Sequence, residues 1–388
     1  MAKKQVIIKN LIRSSTMKCL VSPEVKNNHF NPPTSQPKVL NSRIESEGTV
    51  DVMDDFSMIK RSEGQDKQPL GPRFKTPLIV RWDITYRCNF KCRHCYSECE
   101  STKEKGVSLR EAKKILDVLD NGKVQFVQIL GGEPMMRSDI LEIVKYATAK
   151  KFIFALNSNG YLLDEKAVKN LAMLGLKFIQ ISLHGLEKEH STLTQNQRAF
   201  KKAISAIDLL IKNGVNVSVS CVVSEINAAS IFDFIDHLAI LGIKDIQLLT
   251  PLNEGRATDE ILLSSTNFTN LKKKLITLKN QRKDLNFDLP GFDIDLIDGM
   301  ANVQKGNRKF EFFFGCIGGV SGIRINPAGE ACICVGSANN SFGKITEKPL
   351  DQIMEEMYEW RIRNRPRHCQ GCDSYLNDCQ GACYLRFH

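Results

Sequence analysis

The sequence predicts an α/β fold: a parallel sheet curled into an incomplete barrel, followed by a small cysteine-rich segment. Two observations carry this. From residue 77 onward short apolar runs alternate with helical periodicity, giving six strand–helix units in about 200 residues. Near residue 290 that rhythm stops and cysteines take over.

Residues 1–74 mix Asn, Ser, Lys and Pro, as in HFNPPTSQP (29–37) and RSEGQDKQPLGP (61–72), and sustain neither helical nor strand periodicity. An irregular amino-terminal extension is expected. The barrel is expected over 75–290. PLIVRWDI (77–84) is its first strand, a near-continuous apolar run of the kind buried in parallel sheets. SLREAKKILDVLD (108–120) follows as a helix, with Ser108 and Glu111 spaced as a capping box. Further strands are expected at 124–130, 152–157, 177–183, 215–223 and 244–250, and helices at 138–149, 164–173, 198–213, 228–241 and 266–280. Right-handed crossovers would curl such a sheet. In sheets of this kind the chemistry sits at the carboxyl ends of the strands. Residues 291–388 form the last expected unit, with a hairpin turning at Asn326-Pro327-Ala328-Gly329 and a helix at 349–364. That unit is too short for a large core and rich enough in cysteine to be held together by metal.

The 388 residues carry a net charge of +10, from 54 basic and 44 acidic side chains. This suits an acidic peptide or an anionic cofactor. No aromatic-rich basic motif marks a nucleic-acid module, so nucleic acid is not an expected partner. No apolar stretch reaches the ~18 residues of a membrane span. The start, MAKKQVIIKNLIRSSTMKCL, lacks the apolar core of a secretory signal. A cytoplasmic protein is expected.

Thirteen cysteines is high, and apart from Cys19 and Cys221 they fall at 88–99, 316–334 and 369–383. Tight CxxxCxxC and CxxC spacings in such a chain point to metal or cluster ligation rather than disulfides. Cys88, Cys92 and Cys95 follow the first strand. Structural zinc wants four ligands, and Cys99 could be the fourth. An iron–sulfur cluster held by only three thiolates would keep one iron free. One strand–helix unit later, VQFVQIL runs into Gly131-Gly132-Glu133-Pro134 at the same sheet edge. Two glycines let the backbone approach a ligand closely, with strand-end amides and carbonyls available to it.

With these motifs the chain resembles the radical SAM superfamily. CNFKCRHC resembles its cluster loop, with His94 as the aromatic residue before the third cysteine. GGEP is similar to its motif for the methionine amine, and LNSNG (156–160), holding Asn157 and Ser158, to its ribose-side motif. ISLHG (181–185) resembles the segment whose serine, here Ser182, contacts the cofactor; TPLNEGRA (250–257) resembles the adenine-side segment. The resemblance implies a partial (β/α)6 barrel and a [4Fe-4S] cluster on Cys88, Cys92 and Cys95, whose open iron chelates S-adenosylmethionine. It also implies reductive cleavage to methionine and a 5′-deoxyadenosyl radical that abstracts a substrate hydrogen. A reducing protein such as flavodoxin or ferredoxin would supply the electron. Two departures stand out: His184 replaces a common aspartate, and EHSTLTQNQRAF lacks the usual arginine-glycine pair.

Cys316, Cys334, Cys369, Cys372, Cys379 and Cys383 resemble the SPASM extension, which carries auxiliary iron–sulfur clusters. In that arrangement Cys316, Cys334 and Cys383 belong to an inner cluster, and Cys369, Cys372 and Cys379 to an outer one. Six residues rather than five separate Cys372 from Cys379, and the usual final cysteine is absent. One or two auxiliary clusters are therefore expected; a zinc-stapled tail would use the same ligand types. The leading expectation is an oxidoreductase that matures a ribosomally made peptide, with the peptide or a separate peptide-recognition protein as partner. Side-chain modification of a haem precursor is the alternative, and a non-catalytic iron–sulfur sensor or scaffold a distant one.

Overall fold

The computed structural model describes residues 74–100, 106–290, 292, 316–335, 340–366, 369–371 and 376. The extension expected before the barrel lies outside these, as do Cys19, Cys372, Cys379 and Cys383. The element order is β1 (Ile79–Asp83), α1 (Leu109–Asn121), β2 (Phe126–Leu130), α2 (Ile140–Thr148), β3 (Ile153–Ser158), α3 (Glu165–Met173) and β4 (Phe178–Ser182). It continues with α4 (Glu187–Thr194), α5 (Ala199–Lys212), β5 (Asn216–Val222), α6 (Ile231–Ile240), β6 (Asp245–Leu249), α7 (Ser265–Gln281) and β7 (Asn286–Asp288). Beyond residue 316 come β8 (Gly322–Ile325), β9 (Ala331–Cys332) and α8 (Leu350–Arg363). Each of the six expected strands and its helix is present. At the start of α1, Ser108 caps by accepting from the Glu111 amide at 3.3 Å.

The described strands make one sheet in the order β7-β6-β5-β4-β3-β2-β1-β8-β9, parallel throughout except for β8–β9. The sheet has two ends and does not close. It does curl. Arg81 on β1 feels the charge of Asp288 on β7, although flat strands at about 4.8 Å spacing would set them roughly 29 Å apart. The expected hairpin at 316–334 does form, but β8 pairs in parallel with β1, Arg81 facing Arg324 in register. The barrel sheet therefore continues across residue 290.

Alternation along the strands gives the sheet two unlike faces. Val80, Trp82, Val127, Ile129, Leu156, Ile179 and Ile181 pack against helix residues such as Ile115, Leu116, Ile143 and Ile207 in one core. The opposite, concave face carries a row of linked side chains. Gln128 donates to Asn157 (2.7 Å), Asn157 to Gln180 (2.9 Å) and Gln180 to Gln247 (3.5 Å). Gln247 in turn donates to Asp288 (2.7 Å) and accepts from Ser220 (3.3 Å). Each buried amide has a partner, which removes most of the cost of its desolvation.

Candidate active site

The segments after β1, β2 and β3 meet at the carboxyl edge of the sheet. The loop after β1 is closed at its base: the Cys88 amide donates to Glu100 O (3.0 Å) and the Glu100 amide to Tyr86 O (3.3 Å). The glycine-rich turn after β2 then lies directly on this loop. Gly132 N–H donates to Thr85 O (2.7 Å) and Glu133 N–H to Arg87 O (2.8 Å). Only glycine allows this approach, since a Cβ on residue 132 would sit 2.1 Å from Arg87 O. Glu133 is fully buried and ties the turn to the segment after β3. Its carboxylate accepts from Ser158 Oγ (2.9 Å), the Asn159 amide (2.7 Å) and the Met135 amide (3.1 Å). Burial still raises its pKa to about 7, against the pull of those three donors. With Glu133 and Ser158 engaged on each other and Asn157 in the amide row, what this edge presents to a ligand is chiefly backbone.

The structure brings Cys88, Cys92 and Cys95 into one neighbourhood: Cys92 feels the charge of both others, and Cys88 that of Cys95. Two of the sulfurs already accept backbone N–H groups, Cys88 from Phe90 (3.5 Å) and Cys95 from Cys99 (3.4 Å). Burial pushes the Cys88 thiol up to about 12 and the Cys92 thiol higher still; a hydrogen bond from Cys99 pulls Cys95 down. Among the described residues no three His, Cys, Asp or Glu side chains already stand as a coordination set. Three neighbouring sulfurs with amide donors on two of them fit a cluster held by three thiolates.

A second set of cysteines gathers beyond β1. Arg324 on β8 makes a bidentate ion pair with buried Asp83 at the end of β1 and donates to Tyr96 Oη at 2.6 Å. Burial disfavours the charge on Arg324, but Asp83 and Tyr96 outweigh it and hold its pKa up. Cys334 interacts electrostatically with both Arg324 and half-buried Arg81, Cys316 with Arg81, and Cys332 with Arg324. Two guanidiniums beside three thiols suit an anionic thiolate-bound group. Buried Arg361 on α8 fixes this region by donating to Gly318 O (2.8 Å) and Cys316 O (3.3 Å). Cys369 packs separately, with Val320, Tyr358 and Leu376.

Residues 82–238 match the Radical SAM superfamily, the span that runs from the end of β1 through α6. The mycofactocin maturase MftC of Mycolicibacterium smegmatis is 32% identical over 317 residues, 79% of this chain and 78% of that protein. This chain belongs to the radical SAM superfamily. An Fe-coproporphyrin III synthase of Methanosarcina barkeri is 26% identical over 345 residues, covering 80% of this chain and 84% of that one. In fold the chain is similar to Streptococcus suis SuiB bound to its precursor peptide SuiA. The TM-score is 0.67 at 18% identity, over 99% of this chain and 84% of that chain. The protein is thus a radical SAM enzyme with a SPASM-like carboxyl-terminal region, and the family implies a [4Fe-4S] cluster and S-adenosylmethionine.

The two motif histidines, His94 and His184, belong to a buried group with His190 and Asn227 that the motifs do not reveal. His94 stands edge-on to His184 (ring centroids 4.3 Å), and His184 lies 5.6 Å from His190. Burial keeps all three imidazoles neutral, His94 down at about 4 and His190 at about 3. His184 Nδ1 accepts from the Val222 amide (3.2 Å) and His190 Nδ1 from the His184 amide (3.0 Å), so these rings brace the backbone after β4 and β5. Buried Asn227 joins them, donating to His184 O (2.9 Å) and Val222 O (2.8 Å). Ser182, at the end of β4, is half-buried beside this brace.

Proposed function

We propose that this radical SAM enzyme modifies a peptide by hydrogen abstraction, with its cluster on Cys88, Cys92 and Cys95. The observation that carries the reading is the strap of two backbone hydrogen bonds joining the three-thiol loop to Gly132 and Glu133 at one strand edge. When bound there, the cluster and S-adenosylmethionine supply a substrate-derived radical through a 5′-deoxyadenosyl species. The chain's part is to hold and orient. Backbone groups of Gly131 to Pro134 would meet the methionine end of S-adenosylmethionine, while Asn157 and Ser158 at the end of β3 and Ser182 at the end of β4 would meet its nucleoside. The concave face below, with its row of Gln128, Asn157, Gln180 and Gln247, offers both amide donors and amide acceptors to a substrate's polar backbone. Support for a peptide comes from MftC as a named maturase and from SuiB, whose fold this chain shares, bound to a precursor peptide.

The SPASM-like tail would bind one or two auxiliary iron–sulfur clusters through Cys316, Cys334, Cys369, Cys372, Cys379 and Cys383. The electrostatic interaction of both Cys316 and Cys334 with Arg81 supports this. The Fe-coproporphyrin III synthase relative, covering the same share of the chain, favours haem-precursor modification as the second reading. A flavodoxin- or ferredoxin-like reductant and a cytoplasmic setting belong to the proposal; among the described residues no helix is long and apolar enough to cross a membrane. The test is anaerobic incubation of the reconstituted, reduced protein with S-adenosylmethionine. Wild type should form 5′-deoxyadenosine, and the variant with Cys88, Cys92 and Cys95 all changed to alanine should form none. Undiminished cleavage in that variant would sink the cluster assignment. Candidate peptides and haem precursors added separately should then divide the two substrate readings by which one gains mass-shifted product.

A further inference from the structure

The cluster loop is gripped a second time, by the segment after β6. The segment after β6 reads Asn253-Glu254-Gly255-Arg256-Ala257, and Gly255 presses against the loop so closely that a Cβ would lie 2.4 Å from Cys95 O. Gly255 adopts φ +62°, where a larger residue would be strained. This contact delivers Arg256. Its amide donates to Cys95 O (3.0 Å), its Nε to Cys92 O (2.9 Å) and its Nη2 to Cys99 O (3.1 Å). One residue thus holds three carbonyls of the loop. A guanidinium fork suits this, because its donors diverge in a fixed plane.

The charge is as notable as the bonds. Two arginines near the loop have carboxylate partners: Arg93 pairs with Glu260 and Arg324 with Asp83. Arg256 makes no ion pair among the described residues, and its guanidinium binds only neutral carbonyls. Its charge is thus held against the backbone of the loop that carries Cys88, Cys92 and Cys95. Three thiolates brought together in a half-buried loop repel one another, and a fixed cation beside them offsets that repulsion. An electron added to a group bound there would be stabilised by the same field.

We infer that Arg256 is a positioning residue of the radical SAM site, which clamps the cluster loop through its carbonyls and supplies the cationic charge that the thiolate-bound cluster needs. The inference rests on the proposed ligation by Cys88, Cys92 and Cys95. It assigns to the segment after β6 a task directed at the cluster.

The test uses the full chain, reconstituted anaerobically, as wild type, Arg256→Lys and Arg256→Gln. The iron and the paramagnetic signal that disappear in the Cys88/Cys92/Cys95 triple alanine variant define the loop's own cluster. Iron content unchanged in that triple variant would refute the ligation reading, independently of Arg256. For that signal, Arg256→Gln should show a tenfold lower reduced-to-oxidised ratio at fixed ambient potential, about 59 mV for a one-electron couple. It should also retain less iron. Arg256→Lys keeps the charge and loses the fork, so it should recover most of the potential and the iron. Lys and Gln variants that behave alike, whether both match wild type or both lose the cluster, would overturn the assignment of charge to Arg256.

Discussion

Replacing Gly132 with alanine adds one carbon, and the structure says where it goes. The new Cβ would lie 2.1 Å from Arg87 O, 2.6 Å from Arg87 C and 3.0 Å from Tyr86 C. All three are backbone atoms, so no rotamer change relieves the overlap. The turn must part from the cluster loop. Parting breaks the Gly132-to-Thr85 and Glu133-to-Arg87 hydrogen bonds, each worth about 1 kcal/mol. Residual overlap in a packed site adds about 1–3 kcal/mol. The strap is then weakened by about 3–5 kcal/mol, on the order of 10²–10³ in its closing equilibrium at about 1.4 kcal/mol per tenfold. The main core, built on the other face of the sheet, is untouched. Hydrogen exchange at the amides of residues 132 and 133 should therefore accelerate by that factor, while exchange in β3 to β5 stays near wild type. S-adenosylmethionine affinity and 5′-deoxyadenosine formation should fall in parallel. Wild-type exchange at residues 132 and 133 would refute the strap; fast exchange with undiminished cofactor affinity would refute its role in binding.

Two further predictions concern buried charge. Arg324→Met leaves Asp83, 1% exposed, without its cation, and should cost about 3–5 kcal/mol in urea unfolding; the double variant Asp83→Leu/Arg324→Met should recover most of it, and no recovery would mean the pair's burial is not what matters. His190 titrates from about 3 when folded, against 6.5 for the free imidazole, so the folded chain binds fewer protons between those values. Its contribution is present above pH 6.5 and is lost as pH falls toward 3, with a slope of at most about 1.4 kcal/mol per pH unit. His190→Phe should flatten the acid limb of urea midpoints measured from pH 7 to 4.5 by that amount, and parallel curves would contradict it.

The barrel was legible because its strands are apolar runs separated by helices with clear periodicity. α4 escaped notice for a physical reason. Its sequence EKEHSTLT buries His190, Ser191, Leu193 and Thr194, so its inward face is largely polar and no apolar stripe marks it. β7, Asn286–Asp288, is three residues long and offers too short a pattern to read. The cluster and glycine motifs stood out by spacing, and the structure does bring them together. Arg256 and Arg324 did not, since each works through contacts more than 150 residues away. A signal for the concave face was present: single glutamines at 128, 180 and 247, each inside an otherwise apolar strand, stand at inward positions of three different strands. Amides interrupting buried strands in this repeated fashion are costly unless they pair with one another, as these do.

The parallel pairing of β8 with β1 has a consequence for how the protein is made. Without β8, the strand that carries the cluster loop is the outermost strand of the sheet, with its N–H and C=O groups unpaired along one side. Residues 322–325 leave the ribosome some 240 residues after that strand. Throughout that interval Asp83 also lacks the cation that neutralises it. The nascent barrel thus passes through a stage in which this edge of β1 is unpaired, until the last quarter of the chain supplies β8.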